Sequence, residues 1–204
     1  LGARVVSRFP AGLWDDLFSD AWSGEVAFSG GALTLTPTPA MTLVDIDGTL
    51  PPRDLALAAV EPLAEALARL DLAGSIGIDF PTLPDRNDRK QIDGALERAL
   101  ADWPHERTAM NGFGFVHIVS RLRHPGLLHR IQSDRAGANA RRLLRLAEQV
   151  SEPGALLLTC HPAVRTALRG DWLAELTRRS GRAVRVESDP ALALDAAFAQ
   201  AVPL

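Results

Sequence analysis

Cysteine is almost missing from this sequence: Cys160 stands alone among 204 residues. A single thiol excludes an internal disulfide and any structural zinc site built on several cysteines. Lysine is equally scarce, with Lys90 the sole example, so arginine carries the positive charge. Tyrosine is absent, and aromatic residues make up only 5%. No apolar run approaches the roughly 20 residues of a membrane-crossing helix, and no signal-peptide pattern opens the chain. The expectations are therefore no membrane partner and residence in the cytoplasm. The first residue is leucine, which suggests a piece of a longer protein. With a net charge of −3, the chain as a whole is not a strongly basic nucleic-acid binder. The remaining composition, 47% hydrophobic and 23% charged, is that of a globular protein with one domain and at most a small appendage.

Periodicity predicts an α/β order. Apolar residues recur at helical spacing over 13–22, and "GEVAFSGGALTLTP" suggests two strands joined near Gly30-Gly31. A buried strand is expected over 40–46, where a continuous apolar run ends in acid. A helix over 53–74 follows, with Pro62 kinking it or marking where its regular part begins. A strand over 74–80, a helix over 85–103 and a strand over 112–120 come next. Beyond Pro125-Gly126 the expected order is helix 134–150, strand 155–160, helix 163–180, strand 183–188 and a short helix over 190–200. That junction divides the chain into a core over 1–125 and a small α/β subdomain over 126–204. Arg121, Arg123, Arg130, Arg135, Arg141, Arg142 and Arg145 crowd one stretch against Asp134 alone. They form either a track for a phosphate backbone or a solvated helix face.

The chemistry concentrates in "VDIDGTL" and "GIDF". A strand, a helical crossover and a second parallel strand place Asp45 and Asp79 at the same carboxyl edge of one sheet. Neighbouring strands lie about 4.8 Å apart, and two carboxylates that close repel unless a cation or proton lies between them. Mg²⁺ suits such a pair, because it takes oxygen ligands and keeps waters beside one or two carboxylates. For either aspartate alone, capping a turn or helix is the simpler role. "VDIDGTL" also matches the signature of the haloacid dehalogenase-like phosphatases, in which the first aspartate attacks phosphorus. That pattern needs a hydroxyl, then a lysine, then a late acidic pair. Lys90 instead precedes Thr159, and Gly170-Asp171 lies in a helical stretch. A phosphatase with Asp45 as nucleophile is kept as the alternative.

A second resemblance extends further. "SGGALTLTPTPAMTLVDID", "LARLDLAGSIGIDF", "DRKQIDGALERAL" and "GFGFVHIVSRLR" occur in the order of the catalytic core of the ribonuclease E/G family, which the chain resembles over about 13–123, with a weaker echo in the family's small domain. The resemblance implies a DNase I-like α/β subdomain in which Asp45 and Asp79 hold Mg²⁺. A metal-activated water would then cleave single-stranded RNA, leaving a 5′-phosphate and a 3′-hydroxyl. Asp47 takes the place of the family's asparagine, as a third catalytic group. Arg121 and Arg123 are the expected phosphate contacts, and Phe113 is a candidate for contact with RNA bases. The family's S1 domain and 5′-end sensor are not in this chain, and its zinc-link cysteines are replaced by "HPGLLHRIQSD". A zinc-linked dimer is therefore not expected, while other homo-oligomers stay open. A degenerate, non-catalytic RNA-binding relative is a further alternative.

Other residues have simpler readings. Cys160 is expected to be a small buried hydrophobe, not a partner of His161. His117 lies in an alternating strand. Phe113 and Phe115 are expected on one strand face, suited to core packing or to stacking on RNA. Trp14, Trp22, Trp103 and Trp172 share no spacing and are expected to be packing anchors.

Overall fold

In the computed structural model, which describes residues 12–204, the chain forms two compact units that divide between Gln132 and Ser133. The first comprises α1 (Leu13–Ser23), β1 (Glu25–Phe28), β2 (Gly31–Pro37), β3 (Thr42–Gly48), α2 (Pro52–Arg69), β4 (Ser75–Asp79), α3 (Arg86–Ala99), β5 (His105–Arg107), β6 (Phe115–Ser120) and nearly all of α4 (Leu127–Ser133). The second comprises α5 (Arg135–Glu148), β7 (Ala155–Cys160), α6 (Pro162–Ala167), α7 (Gly170–Ser180), β8 (Val184–Ser188) and β9 (Phe198–Val202). The class is mixed α/β, as the sequence predicts. The division falls later than Pro125-Gly126 because α4 belongs to the first unit. Leu127 N–H donates to the Leu70 carbonyl at 2.8 Å, Gln132 donates to the Ala21 carbonyl at 3.2 Å, and Leu128 and Ile131 are buried.

The first unit is built on a six-stranded sheet in the order β1-β2-β3-β4-β6-β5. Its one parallel pair is β3–β4, connected through α2; the other neighbours are antiparallel. Side chains alternate across a strand, and the burial follows. Val26, Leu33, Leu35, Val44, Ile46, Ile76, Ile78, Val116 and Ile118 are buried on one face. Leu55, Leu63 and Leu67 of α2 and Ile92 and Leu96 of α3 are buried as well, and α2 packs on β1, β2, β3 and α3. Each such side chain contributes about 1.5–3 kcal/mol when fully buried. The opposite positions Thr34, Thr36, Leu43, Asp45, Asp47, Asp79 and Val119 are exposed. This open face carries the polar half of the alternation.

Local chemistry sets the element ends. Gly24, at φ 75°, closes α1 in the left-handed conformation. Asp85 caps α3 by accepting from Asn87 N–H at 2.7 Å. The helix over 53–74 starts at Pro52, where a missing N–H costs nothing, and runs through Pro62 to Arg69. Trp14 and Trp22 flank the buried Phe18 at ring distances of 6.4 and 6.0 Å, while Trp103 stacks on His105 at 5.2 Å.

The second unit has a three-stranded sheet, β8-β7-β9, with β7–β8 parallel and β7–β9 antiparallel. Its core gathers Leu143, Leu156, Leu158, Cys160, Val164 and Leu176. Two expectations fail here. The helix over 163–180 is two helices, because Leu168 and Arg169 are extended between them. The helix expected over 190–200 is replaced at its end by β9, which fills the second edge of β7. In that Ala-rich segment a pairing site overrides helix propensity. The guanidinium carbons of Arg141 and Arg169 lie over the Trp172 ring, 5.8 and 5.3 Å from its centre.

Candidate functional site

The site grows out of the β3–β4 pair. In the parallel register Asp45 is the direct partner of Asp79. Asp79 is the last residue of β4, whereas β3 runs three residues past Asp45, through Asp47 to Gly48. Asp45 is therefore inside its strand instead of at its end. The extension arises because β2 pairs with β3 up to Gly31–Gly48. Gly48 has no room for a side chain: a Cβ there would meet the Gly30 carbonyl and lie 2.6 Å from Leu55 Cδ1. The Gly30-Gly31 turn thus lies directly over the end of β3, and Thr49 N–H donates to the Gly30 carbonyl at 3.0 Å.

Period-two alternation puts Asp45 and Asp47 on the same face. Together with Asp79 they line a cleft of roughly 380 Å³, whose other walls include Leu50, Pro52, Leu55, Phe80 and Thr82. No lysine, arginine or histidine is among its lining residues. The Asp45 carboxyl is held above its ordinary pKa, first by partial desolvation, then by repulsion from Asp47 and Asp79. Ile46 N–H, donating to Asp45 Oδ1 at 3.1 Å, opposes that rise. The cleft is thus short of positive charge. The carboxylates do not close into a cage: among the described residues, no group of three or more His, Cys, Asp or Glu side chains is gathered to hold a metal. What they offer is a pair of neighbouring oxygen donors with a third carboxylate alongside.

The basic residues lie elsewhere. β6 is antiparallel to β4, with Phe115 beside Asp79 and Val119 beside Ser75. Ser120, five residues beyond Phe115, is therefore about 17 Å down the strand at ~3.4 Å per residue. Arg121 and Arg123 follow it and are exposed at the opposite edge of the sheet. The structure does not bring them to the carboxylates. Arg141 and Arg145, from the same arginine-rich stretch, pair with Asp134 and Glu148 at 3.4 and 2.6 Å. Arg53, next in sequence to the cleft residue Pro52 at the start of α2, is held by Asp88 and Gln91 at 3.0 and 2.7 Å.

Phe113 is not in a strand. β6 begins at Phe115, and residues 111–114 form a turn organised by Asn111, whose Oδ1 accepts from Phe113 N–H at 2.9 Å and from Phe115 N–H at 3.1 Å. The expected shared strand face of the two rings is lost. Phe113 is 81% exposed, while Phe115 lies over Gly77, where a Cβ would come within 2.6 Å of its ring. Sequence reasoning missed Asn111 and Thr82; Asn111-Gly112 was a turn signal, subsumed in the alternation that follows it. His117 shares a 2.8 Å hydrogen bond with Ser75 on the open face. Cys160 is fully buried, with its thiol pKa pushed up by desolvation, and His161 instead caps α6, accepting from Ala163 N–H at 3.1 Å.

The phosphatase pattern finds no support in these positions. Asp171 opens α7 and is forked to Arg169 at 3.0 and 2.9 Å, which holds its carboxyl below the usual range.

No family model matches the chain. Its sequence is similar to that of ribonuclease G. The enzyme of that name from Escherichia coli K12 is 27% identical over 193 residues, covering 79% of this chain. Those from Shigella flexneri and Salmonella typhimurium SL1344 give the same identity and coverage. The chain spans 39% of the length of each of these curated relatives. Among the described residues, no helix is long and apolar enough to cross a membrane.

Proposed function

We propose that the chain is a Mg²⁺-dependent endoribonuclease that cleaves single-stranded RNA and leaves a 5′-phosphate and a 3′-hydroxyl. The observation that carries this reading is the pairing of Asp45 with Asp79 on adjacent parallel strands, in a cleft lined by three carboxylates and no cation. The similarity to ribonuclease G supplies the substrate class.

The donors fit magnesium. They are hard carboxylate oxygens, close enough for mutual repulsion to raise the Asp45 pKa, and the cleft leaves space for the waters this ion retains. Asp45 and Asp79 would hold the ion. When bound, it would supply an activated water and positive charge opposite the phosphodiester. Ile46 N–H fixes one Asp45 oxygen. Asp47 adds negative charge beside the pair, which favours a cation and repels a phosphate that arrives without one. Arg121 and Arg123, at the far edge of the sheet, would contact the RNA backbone away from the cleaved bond. A DNase I-like arrangement of the first unit is part of the same proposal.

The test pairs two substrates. The chain is incubated with 5′-labelled unstructured RNA and, separately, with a chromogenic phosphomonoester, each in Mg²⁺ or in EDTA. RNA fragments that need Mg²⁺, with no monoester turnover, are expected. Turnover of the monoester without RNA cleavage would contradict the proposal.

A further inference from the structure

We propose that Phe113 makes this site selective for unpaired nucleotides, its ring stacking on the base of a nucleotide beside the bound phosphate; the inference rests on the endoribonuclease reading above. A phenylalanine that is 81% exposed has no packing role in its own unit. Its loop is nevertheless tightly fixed. Asn111 Oδ1 accepts from the N–H groups of Phe113 and Phe115, and Gly114 N–H donates to the Asn111 carbonyl at 3.2 Å. Gly114, at φ 95°, lies so close to the Phe80 carbonyl that a Cβ would collide with it. Phe80 N–H donates to the Gly114 carbonyl at 3.2 Å, and the Thr82 hydroxyl donates to the Phe113 carbonyl, also at 3.2 Å. The turn is thus fastened to Phe80 and Thr82, two residues that line the carboxylate cleft. An apolar ring is held out into water at the rim of a polar cleft.

The position fits one nucleotide. Phe113 is two residues from Phe115, the cross-strand partner of Asp79, so at most ~7 Å of chain separates them. A base next to a phosphate held at Asp45 and Asp79 would come within reach of the ring. Every base has a π-face, so stacking tolerates any sequence. In a duplex both faces of the base are already covered by its neighbours, and only an unpaired nucleotide can offer one to Phe113. The one aromatic residue lining the cleft, Phe80, is 3% exposed and offers no face to a base. Selectivity for single strands would then come from the rim and cleavage from the carboxylates.

The experiment uses the whole chain and a short unstructured RNA with 2-aminopurine at each position in turn. Stacking is read as fluorescence quenching, and cleavage is followed under single-turnover conditions in Mg²⁺. Phe113→Ala, Phe113→Leu and Phe113→Trp are compared with the parent chain. Quenching confined to one position is expected for the parent and for Phe113→Trp, and its loss for Phe113→Ala and Phe113→Leu. Binding should weaken about tenfold in Phe113→Ala. Quenching unchanged in Phe113→Ala, or retained in Phe113→Leu, would overturn the stacking role while leaving RNA cleavage intact. A parent chain that neither binds nor cleaves RNA would instead overturn the endoribonuclease reading, and this inference with it.

Discussion

Asp45 carries its charge at a cost to its own fold. Burial and two neighbouring carboxylates raise its pKa above 3.8, the ordinary value. A raised carboxyl pKa favours the folded state while the group is protonated, and that contribution is lost as pH rises through the folded pKa. In EDTA, Asp45→Asn should therefore melt higher than the parent chain at neutral pH, and the difference should disappear towards pH ~3. The group is largely exposed, so solvent screening keeps the effect below ~1 kcal/mol, a rise of about 1–3 °C. Thermal melts of both proteins across that pH range check it; a lower melting point for the variant at pH 7 would contradict the electrostatic account. At this scale the pairing of Asp45 with Asp79 was legible from the strand–helix–strand order, while the run of β3 past Asp45 to Gly48 was not. Nor was the rim. The exposure of Phe113 depends on Asn111 ending the turn at Gly114, and the alternation in "GFGFVHIVS" disguises that break. The distance from Arg121 to Asp79 was hidden for another reason, since it follows from β6 running antiparallel to β4.

Among elements, the β3–β4–β6 ladder carries a steric constraint at Gly77. Phe115 spreads over Gly77, and a Cβ there would lie 2.6 Å from Phe115 Cζ and 3.1 Å from Leu43 Cδ2. Gly77→Ala should destabilise the chain by about 1–2 kcal/mol, since overpacking outweighs the backbone gain from replacing glycine. A urea titration measures it, and adding Phe115→Ala should recover part of the loss. The start of α5 is set by Asp134, whose carboxylate accepts from Gly137 N–H at 2.9 Å. Asp134→Ala should cost ~1 kcal/mol, read from the same titration. Helices with clear amphipathic faces and five of the six strands of the first sheet, all but the three-residue β5, were legible from periodicity. β9 was not, because it depends on a partner distant in sequence, and the break between α6 and α7 at Leu168-Arg169 was missed as well. Phe198–Val202 becomes a strand only because β7 has an open edge.

At the scale of the whole molecule, a chain of net charge −3 has little long-range attraction for RNA, and the cleft itself is acidic. On the proposed function, cleavage would depend on a cation between Asp45 and Asp79, a dependence that can be tested. Its most direct measurement is the single-turnover rate of cleavage of 5′-labelled single-stranded RNA across a Mg²⁺ titration, for the parent chain, Asp45→Asn and Asp79→Asn. Changes outside a metal's own ligands already cost 10–100-fold, so losing a ligand should slow cleavage at least ~100-fold at moderate Mg²⁺. The account predicts that loss in both variants, with partial recovery at high Mg²⁺. Cleavage that proceeds at the parent rate in both variants would contradict it.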